Sequence, residues 1–119
     1  MPAAEVYGPL LAALGGRDER IVVVDAGLGS SMQTGAFRAS YPERYVNLGI
    51  AEANAVGVAS GLARRGLRPF VHSFSNFLAR RAHDQIAISV GVGGAASHVD
   101  RRIVRYIRWS QRSVAFRRR

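Results

Sequence analysis

The chain has 119 residues, of which 48% are apolar, and a formal net charge of +9. That is enough for one small domain with a packed core. No apolar run nears the twenty or so residues of a membrane span, and the absence of cysteine excludes disulfides and thiolate metal sites. The charge is uneven. Residues 1–91 hold nine Arg against seven acids, whereas residues 92–119 hold eight Arg against one acid, Asp100. All 17 basic residues are Arg. A nearly neutral body with a basic tail argues against a nucleic-acid surface spread over the domain. The N-terminus lacks a basic segment followed by an apolar block, so no secretory signal is read, and a cytoplasmic protein is expected.

Residues 3–14 read as an amphipathic helix, with Val6, Leu10 and Leu14 recurring on one face and Gly15-Gly16 ending it. Ile21-Val-Val-Val24 is a continuous β-branched run, the pattern of a strand buried on both faces in a parallel sheet. Asp25 closes it, and a Gly/Ser loop with Ser30 and Ser31 follows. Ligands of α/β proteins bind beyond such carboxyl ends. Residues 32–40 suggest one helical turn anchored by Phe37, and Tyr41-Pro-Glu-Arg44 reads as a turn. Tyr45–Leu48 is a second strand, 52–65 a central helix stopped by Gly66, Pro69–Ser73 a third strand and 76–90 another helix. Phe77, Ala82, Ile86 and Val90 are the inward positions expected for that last helix. The order implies an α/β domain: a parallel sheet of three strands with flanking helices.

Glu52 stands where a strand-like run meets the central helix. At a helix N-terminus a carboxylate faces unpaired N–H groups, so capping is one reading. The other is a partly buried carboxylate that shares a proton with a ligand nitrogen. Ala51, Ala53, Ala55, Gly57, Ala59, Gly61 and Ala63 make the helix unusually small-sided. Gly in a helix interior costs about 1 kcal/mol relative to Ala. Close helix packing is therefore expected along 52–65, either within the domain or across a subunit interface. Phe74 and Phe77 are core residues or a flat wall for an aromatic ligand. Arg80 is a contact for an anionic substrate group or part of a solvated face with Arg81. His72 and His83 lack metal-ligand spacing and read as structural or surface residues.

Taken together, Asn47-Leu-Gly-Ile-Ala-Glu-Ala-Asn54, the small-sided helix and Pro69-Phe-Val-His-Ser-Phe-Ser-Asn-Phe77 resemble the pyrimidine-binding domain of transketolase-type thiamine diphosphate enzymes. Val24-Asp25, the Gly/Ser loop and Tyr41–Arg44 fit the same pattern, so the resemblance covers about residues 18–90. It implies that Glu52 hydrogen-bonds the cofactor's aminopyrimidine and promotes the tautomer that deprotonates the thiazolium carbon. The cofactor then carries a two-carbon ketol unit between sugar phosphates. It also implies that Phe74 and Phe77 flank the pyrimidine, that Asp25 and Ser30 approach the cofactor's middle, and that Arg80 lies toward the substrate. The branch that makes deoxyxylulose phosphate resembles the chain similarly. The diphosphate and magnesium would be held by a domain on another chain, in a dimer or other homo- or hetero-oligomer assembled through the 52–65 helix.

Residues 1–90 are thus expected to form an incomplete pyrimidine-binding domain, inactive alone. Residues 91–119 are a basic tail unlike the family's continuation, with the character of a shifted reading frame in a GC-rich gene. Two other readings remain: a binding module whose tail, with Tyr106, Trp109 and Phe116, contacts an anionic partner, and a regulatory dimerisation subunit.

Overall fold

The computed structural model describes residues 3–27 and 34–92. The basic tail and the loop with Ser30 and Ser31 lie outside the described residues, as does the side chain of Val90. Strand β1 (Ile21–Asp25) is flanked by β2 (Tyr45–Asn47) and β3 (Arg68–His72), all parallel, in the order β2-β1-β3. Every residue of β1 is buried, as its β-branched run requires of a central strand covered on both faces. Pro69 lies within β3 in register with Val22. Among the described residues β3 pairs only with β1, so the missing N–H has an outer edge to face.

Two cores follow from the alternation along the strands. Ile21 and Val23 pack with Leu11 of α1 (Ala3–Arg17) and Phe37 of α2 (Gly35–Ser40), with Tyr45 and Phe70 against them. Val24 and Val71 face the other way, onto Ala55, Val56 and Ala59 of α3 (Glu52–Arg64). Leu78 and Ala82 join that second core at the end of the chain's described part.

Helix α1 departs from the sequence expectation in two ways. It does not stop at Gly15-Gly16 but runs on to Arg17. The glycines serve packing instead. A Cβ on Gly15 would lie 2.7 Å from Cε2 of Phe37, and one on Gly16 would lie 2.9 Å from the Tyr41 hydroxyl. The two rings fill the space that side chains there would take. The inward face is also different. Leu11 is buried and Tyr7 half-buried, whereas Val6, Leu10 and Leu14 are all exposed.

Arg44, at the end of a 3-10 turn (here α2′, Pro42–Arg44), secures the same corner. Its guanidinium donates to the backbone carbonyls of Gly15 (3.0 Å), Asp18 (3.3 Å) and Ile21 (3.4 Å) and lies 3.9 Å from the Tyr41 ring centre. It thereby satisfies carbonyls that the end of α1 leaves open, with the charge sign that a helix C-terminus favours. Asp18 ties the adjacent turn to the sheet through Arg20 (3.0 Å) and Arg68 (2.9 Å). The Arg20 hydrogen bonds, chiefly, hold the Asp18 carboxyl down to about 2.

The single helix expected over 76–90 is divided. Helix α4 (Ser75–Arg81) ends at Ala82, a short turn α5 (His83–Gln85) follows, and Ile86–Val92 winds as a wider π-type helix, α6. Leu78 and Ala82 are fully buried and Ile86 packs against them. Their spacing of four is that of neighbours on one helical face, so the series stays on the core across the break at Ala82, and the wider turns begin only at its last member, Ile86. Phe77, expected inward, is only half-buried, and Leu78 takes the core position.

Glycines of different use respond oppositely to alanine. Gly15→Ala is expected to destabilise the chain by about 1–3 kcal/mol through overpacking, despite the better helix propensity of Ala. Gly57→Ala, where a Cβ meets nothing within 4 Å, is expected to stabilise it by about 0.5–1 kcal/mol. Urea unfolding of the two variants measures both, and equal signs would refute the packing assignment.

Candidate functional site

The parallel strands bring their carboxyl ends to one edge, and the site lies there. After Asn47 the chain turns sharply. Gly49 adopts φ +70°, its N–H donates to Asn47 Oδ1 at 2.9 Å, and Leu48 N–H donates to the Asp25 carbonyl at 2.9 Å. This turn starts α3 directly at Glu52, behind Ala51 as N-cap. Ala51 has no side chain able to cap the helix, and the Glu52 side chain bonds to other elements. Its side chain is 3% exposed, and its Oε1 accepts from Ser73 Oγ at 3.3 Å and Arg81 Nη1 at 3.5 Å. Burying an ionised carboxylate costs several kcal/mol unless partners offset it, and these two donors supply that offset.

Arg81 extends the cluster outward. Its side chain is half-exposed and its guanidinium carbon lies 4.2 Å from the centre of the Phe77 ring. Phe77 in turn contacts Phe74, with centroids 5.8 Å apart and planes inclined at 58°. The rings are therefore tilted against each other and do not lie in one plane as a flat wall. Phe74 is exposed, and its partner is half-buried under the arginine.

A second polar cluster occupies the opposite face of the same edge. His72 and Ser73 are adjacent, so strand alternation sends them to opposite sides. Ser73 reaches Glu52, while His72 Nε2 lies 2.7 Å from the Tyr7 hydroxyl of α1. Asp25, in register with His72, is buried and accepts from the Tyr45 hydroxyl at 2.6 Å, which lies 3.1 Å from Thr34 Oγ1. Burial pushes His72 down to about 4, against the opposing pull of the Asp25 charge. Burial and the Asp25 carboxylate raise the Tyr45 phenol. Both groups are therefore neutral at pH 7.

Of the residues expected to form the site, Glu52, Phe74 and Phe77 come together, linked through Arg81. Asp25 belongs to the other cluster. Ser30 lies outside the described residues. Arg80 is exposed on α4, and Arg81 is the arginine that reaches Glu52. Ser73, Arg81, His72, Tyr45 and Tyr7 were not singled out from sequence as site residues. Two of them had a signal: Arg81 follows Phe77 by four, the spacing that places helical side chains side by side, and Ser73 follows the strand that ends at the site. Among the described residues no group of three His, Asp or Glu is placed to hold a metal ion, and no helix is long and apolar enough to cross a membrane.

A three-stranded parallel sheet that presents a buried acid and an aromatic pair at its carboxyl edge defines an α/β ligand-binding domain. Residues 1–102 match the model of the transketolase pyrimidine-binding domain, and the chain belongs to that family. It is 42% identical over 90 residues to the 6-deoxy-6-sulfo-D-fructose transketolase subunit SqwH of Clostridium sp. (strain MSTE9), an alignment covering 76% of this chain and 28% of that protein. It is 44% identical over 86 residues to 1-deoxy-D-xylulose-5-phosphate synthase of Nitratidesulfovibrio vulgaris (strain DP4), covering 72% of this chain and 13% of the relative. Among solved structures, a split-gene transketolase described as an inactive β4 tetramer superposes with a TM-score of 0.65 at 45% identity, covering 72% of this chain and 29% of that one. The chain thus spans less than a third of each of these relatives.

The buried histidine makes stability depend on pH. Its folded value, about 4, lies below the ordinary 6.5, so the unfolded chain binds the proton more readily. The contribution is complete above pH 6.5 and is lost as pH falls toward 4. A loss of the order of 3 kcal/mol is expected across that window. Urea midpoints measured from pH 7 to 4 check it, and a His72→Gln variant should show a flatter profile over the same range.

Proposed function

We propose that the chain supplies the pyrimidine-binding part of a transketolase-type thiamine diphosphate enzyme that moves a two-carbon ketol unit between sugar phosphates. One observation carries the reading. Glu52 stands first in a helix, yet its buried carboxylate is bonded to Ser73 and Arg81 of other elements. A capping residue would do the reverse. A buried carboxylate beside aromatic rings suits an aminopyrimidine, which offers a ring nitrogen to the acid and a face to the rings.

In this reading Glu52 shares a proton with the ring nitrogen, and Phe74 and Phe77 flank the ring. Asp25 and Ser30 approach the middle of the cofactor, and Arg80 lies toward the anionic substrate. The cofactor, when bound, supplies a carbon nucleophile and electron sink for cleavage beside a ketose carbonyl. The residues of this chain place the pyrimidine, exclude water from its edge and hold the shared proton. The diphosphate and its magnesium are assigned to a domain on another chain, and this chain alone is inactive. The similarity to a transketolase subunit and to a split-gene transketolase supports that division. Similarity to 1-deoxy-D-xylulose-5-phosphate synthases favours a second reading, in which the acceptor differs but the role of Glu52 is the same.

The test is reconstitution. Thiamine diphosphate and magnesium are titrated into the chain with and without a diphosphate-binding partner, and ketol transfer is assayed. Activity is expected only with the partner, and Glu52→Gln should lower it by about 100-fold or more, the range of a lost acid–base group. Full activity in Glu52→Gln would refute the assignment.

The outer face of α3 is the surface assigned to assembly. Asn54, Gly57, Gly61 and Arg64 are exposed, and a Cβ on either glycine meets nothing within 4 Å among the described residues. Packing within the domain therefore gives no reason for glycine at these positions, which leaves approach by another subunit as the reading. Gly57→Leu should leave the unfolding midpoint near wild type or above it and weaken association in sedimentation. Unchanged association would remove α3 from the interface.

A further inference from the structure

The Glu52 cluster holds a guanidinium in an unusual setting. Arg81 is planar, cationic and rich in N–H donors; its guanidinium carbon lies over the Phe77 ring, 4.2 Å from the centre, and its Nη1 reaches the Glu52 carboxylate at 3.5 Å. A flat, delocalised cation placed over an aromatic ring and bonded to a buried acid is also what a protonated aminopyrimidine would be here. We infer that Arg81 is an internal stand-in for the ligand: it holds a planar cation on Phe77 and Glu52, and ligand binding exchanges one planar cation for the other. The inference rests on the assignment of Glu52 and Phe77 to the pyrimidine.

Three features suit Arg81 to leave. Its side chain is half-exposed, so it moves into water without crossing the core. Its contact with Glu52 is long, and ion pairs with one exposed partner are weak. It is the last residue of α4, next to Ala82, where the helix breaks (φ −112°) before α5 begins. The arginine also has a use while the site is empty. Glu52 is 3% exposed, and a buried carboxylate without a cation beside it is costly. Ser73 alone brings a hydroxyl and no charge. The arginine keeps the acid compensated until a ligand cation replaces it, and the site selects ligands able to perform that replacement. Neutral rings of the same shape would stack on Phe77 but leave Glu52 uncompensated.

The experiment uses the full chain and 4-amino-2-methylpyrimidine as probe, with binding followed by calorimetry in wild type, Arg81→Ala, Arg81→Gln, Glu52→Gln and the Arg81→Ala/Glu52→Gln double variant. Removing the internal competitor should tighten binding by about three- to fivefold, the range set by an exposed ion pair. Methylguanidinium should compete with the probe in Arg81→Ala and have little effect in wild type, whose site is already filled. The 15N signal of the Arg81 side chain, assigned by its absence in Arg81→Gln, should move to that of a solvated arginine both on adding probe and in Glu52→Gln. Equal or weaker binding by both Arg81 variants, with binding still lost in Glu52→Gln, overturns the stand-in and leaves the pyrimidine assignment intact. Failure of every form to bind the probe overturns both.

Discussion

Side chains on a strand alternate between faces, and at the carboxyl end of β3 this rule divides the chemistry of the domain. His72 is drawn to the side of α1, and Ser73 to the side of α3. The two faces then receive different polar groups. One holds Asp25, Tyr45, Thr34, His72 and Tyr7 in a buried network of neutral donors around a carboxylate. The other holds Glu52 with a hydroxyl and a guanidinium, open through the arginine to solvent. A shift of one residue in the register of β3 would exchange His72 and Ser73 between these sets. The pairing of β3 with the fully buried β1, from Ile21–Arg68 to Asp25–His72, is what prevents it.

The register is held from the opposite end of the sheet as well. Phe37 and Tyr41 lie against the two glycines of α1, and Arg44 binds the carbonyls where that helix ends. This corner fixes α1 over Ile21 and Val23, which in turn brings Tyr7 within reach of His72. The Tyr41–Arg44 segment is therefore structural: its arginine serves three backbone carbonyls rather than a ligand. Asp18 reinforces the same turn by joining Arg20 to Arg68 across the strands.

Much of this was legible in the residues. The Ile21–Val24 run announced a central parallel strand because no polar residue interrupts it. The small-sided helix with one acid at its start announced α3. The remainder depended on contacts distant in sequence. Gly15-Gly16 looks the same whether it ends a helix or admits a ring, and the ring that decides, Phe37, lies more than twenty residues away. Val6, Leu10 and Leu14 have helical periodicity, but so do Tyr7 and Leu11, and only the partner surface selects between them. Arg80 and Arg81 differ by about 100° around the helix, so choosing the one that faces Glu52 required the actual orientation of α4. Phe77 is joined to the acid through Arg81 and Phe74 through Phe77, and the mutual tilt of the rings was not readable from spacing. His72 read as structural or surface; it is buried against Tyr7, and that burial, against the opposing pull of Asp25, is what gives its neutrality consequences for pH.

Helix α3 carries two different features on one rigid rod. Its first residue is the buried acid, and its outer side bears the bare backbone of Gly57 and Gly61. With a rise of about 1.5 Å per residue, those glycines lie roughly 7 and 14 Å along the axis from Glu52. An object that seats on the glycines is thereby held at a fixed height relative to the carboxylate, as a slide is held relative to a scale. A bulky side chain at either position would lift that object away and alter its alignment with the acid, even though nothing at Glu52 itself had changed. In the proposed assembly, mating and chemistry would therefore share a single ruler, and small residues on it would preserve the calibration.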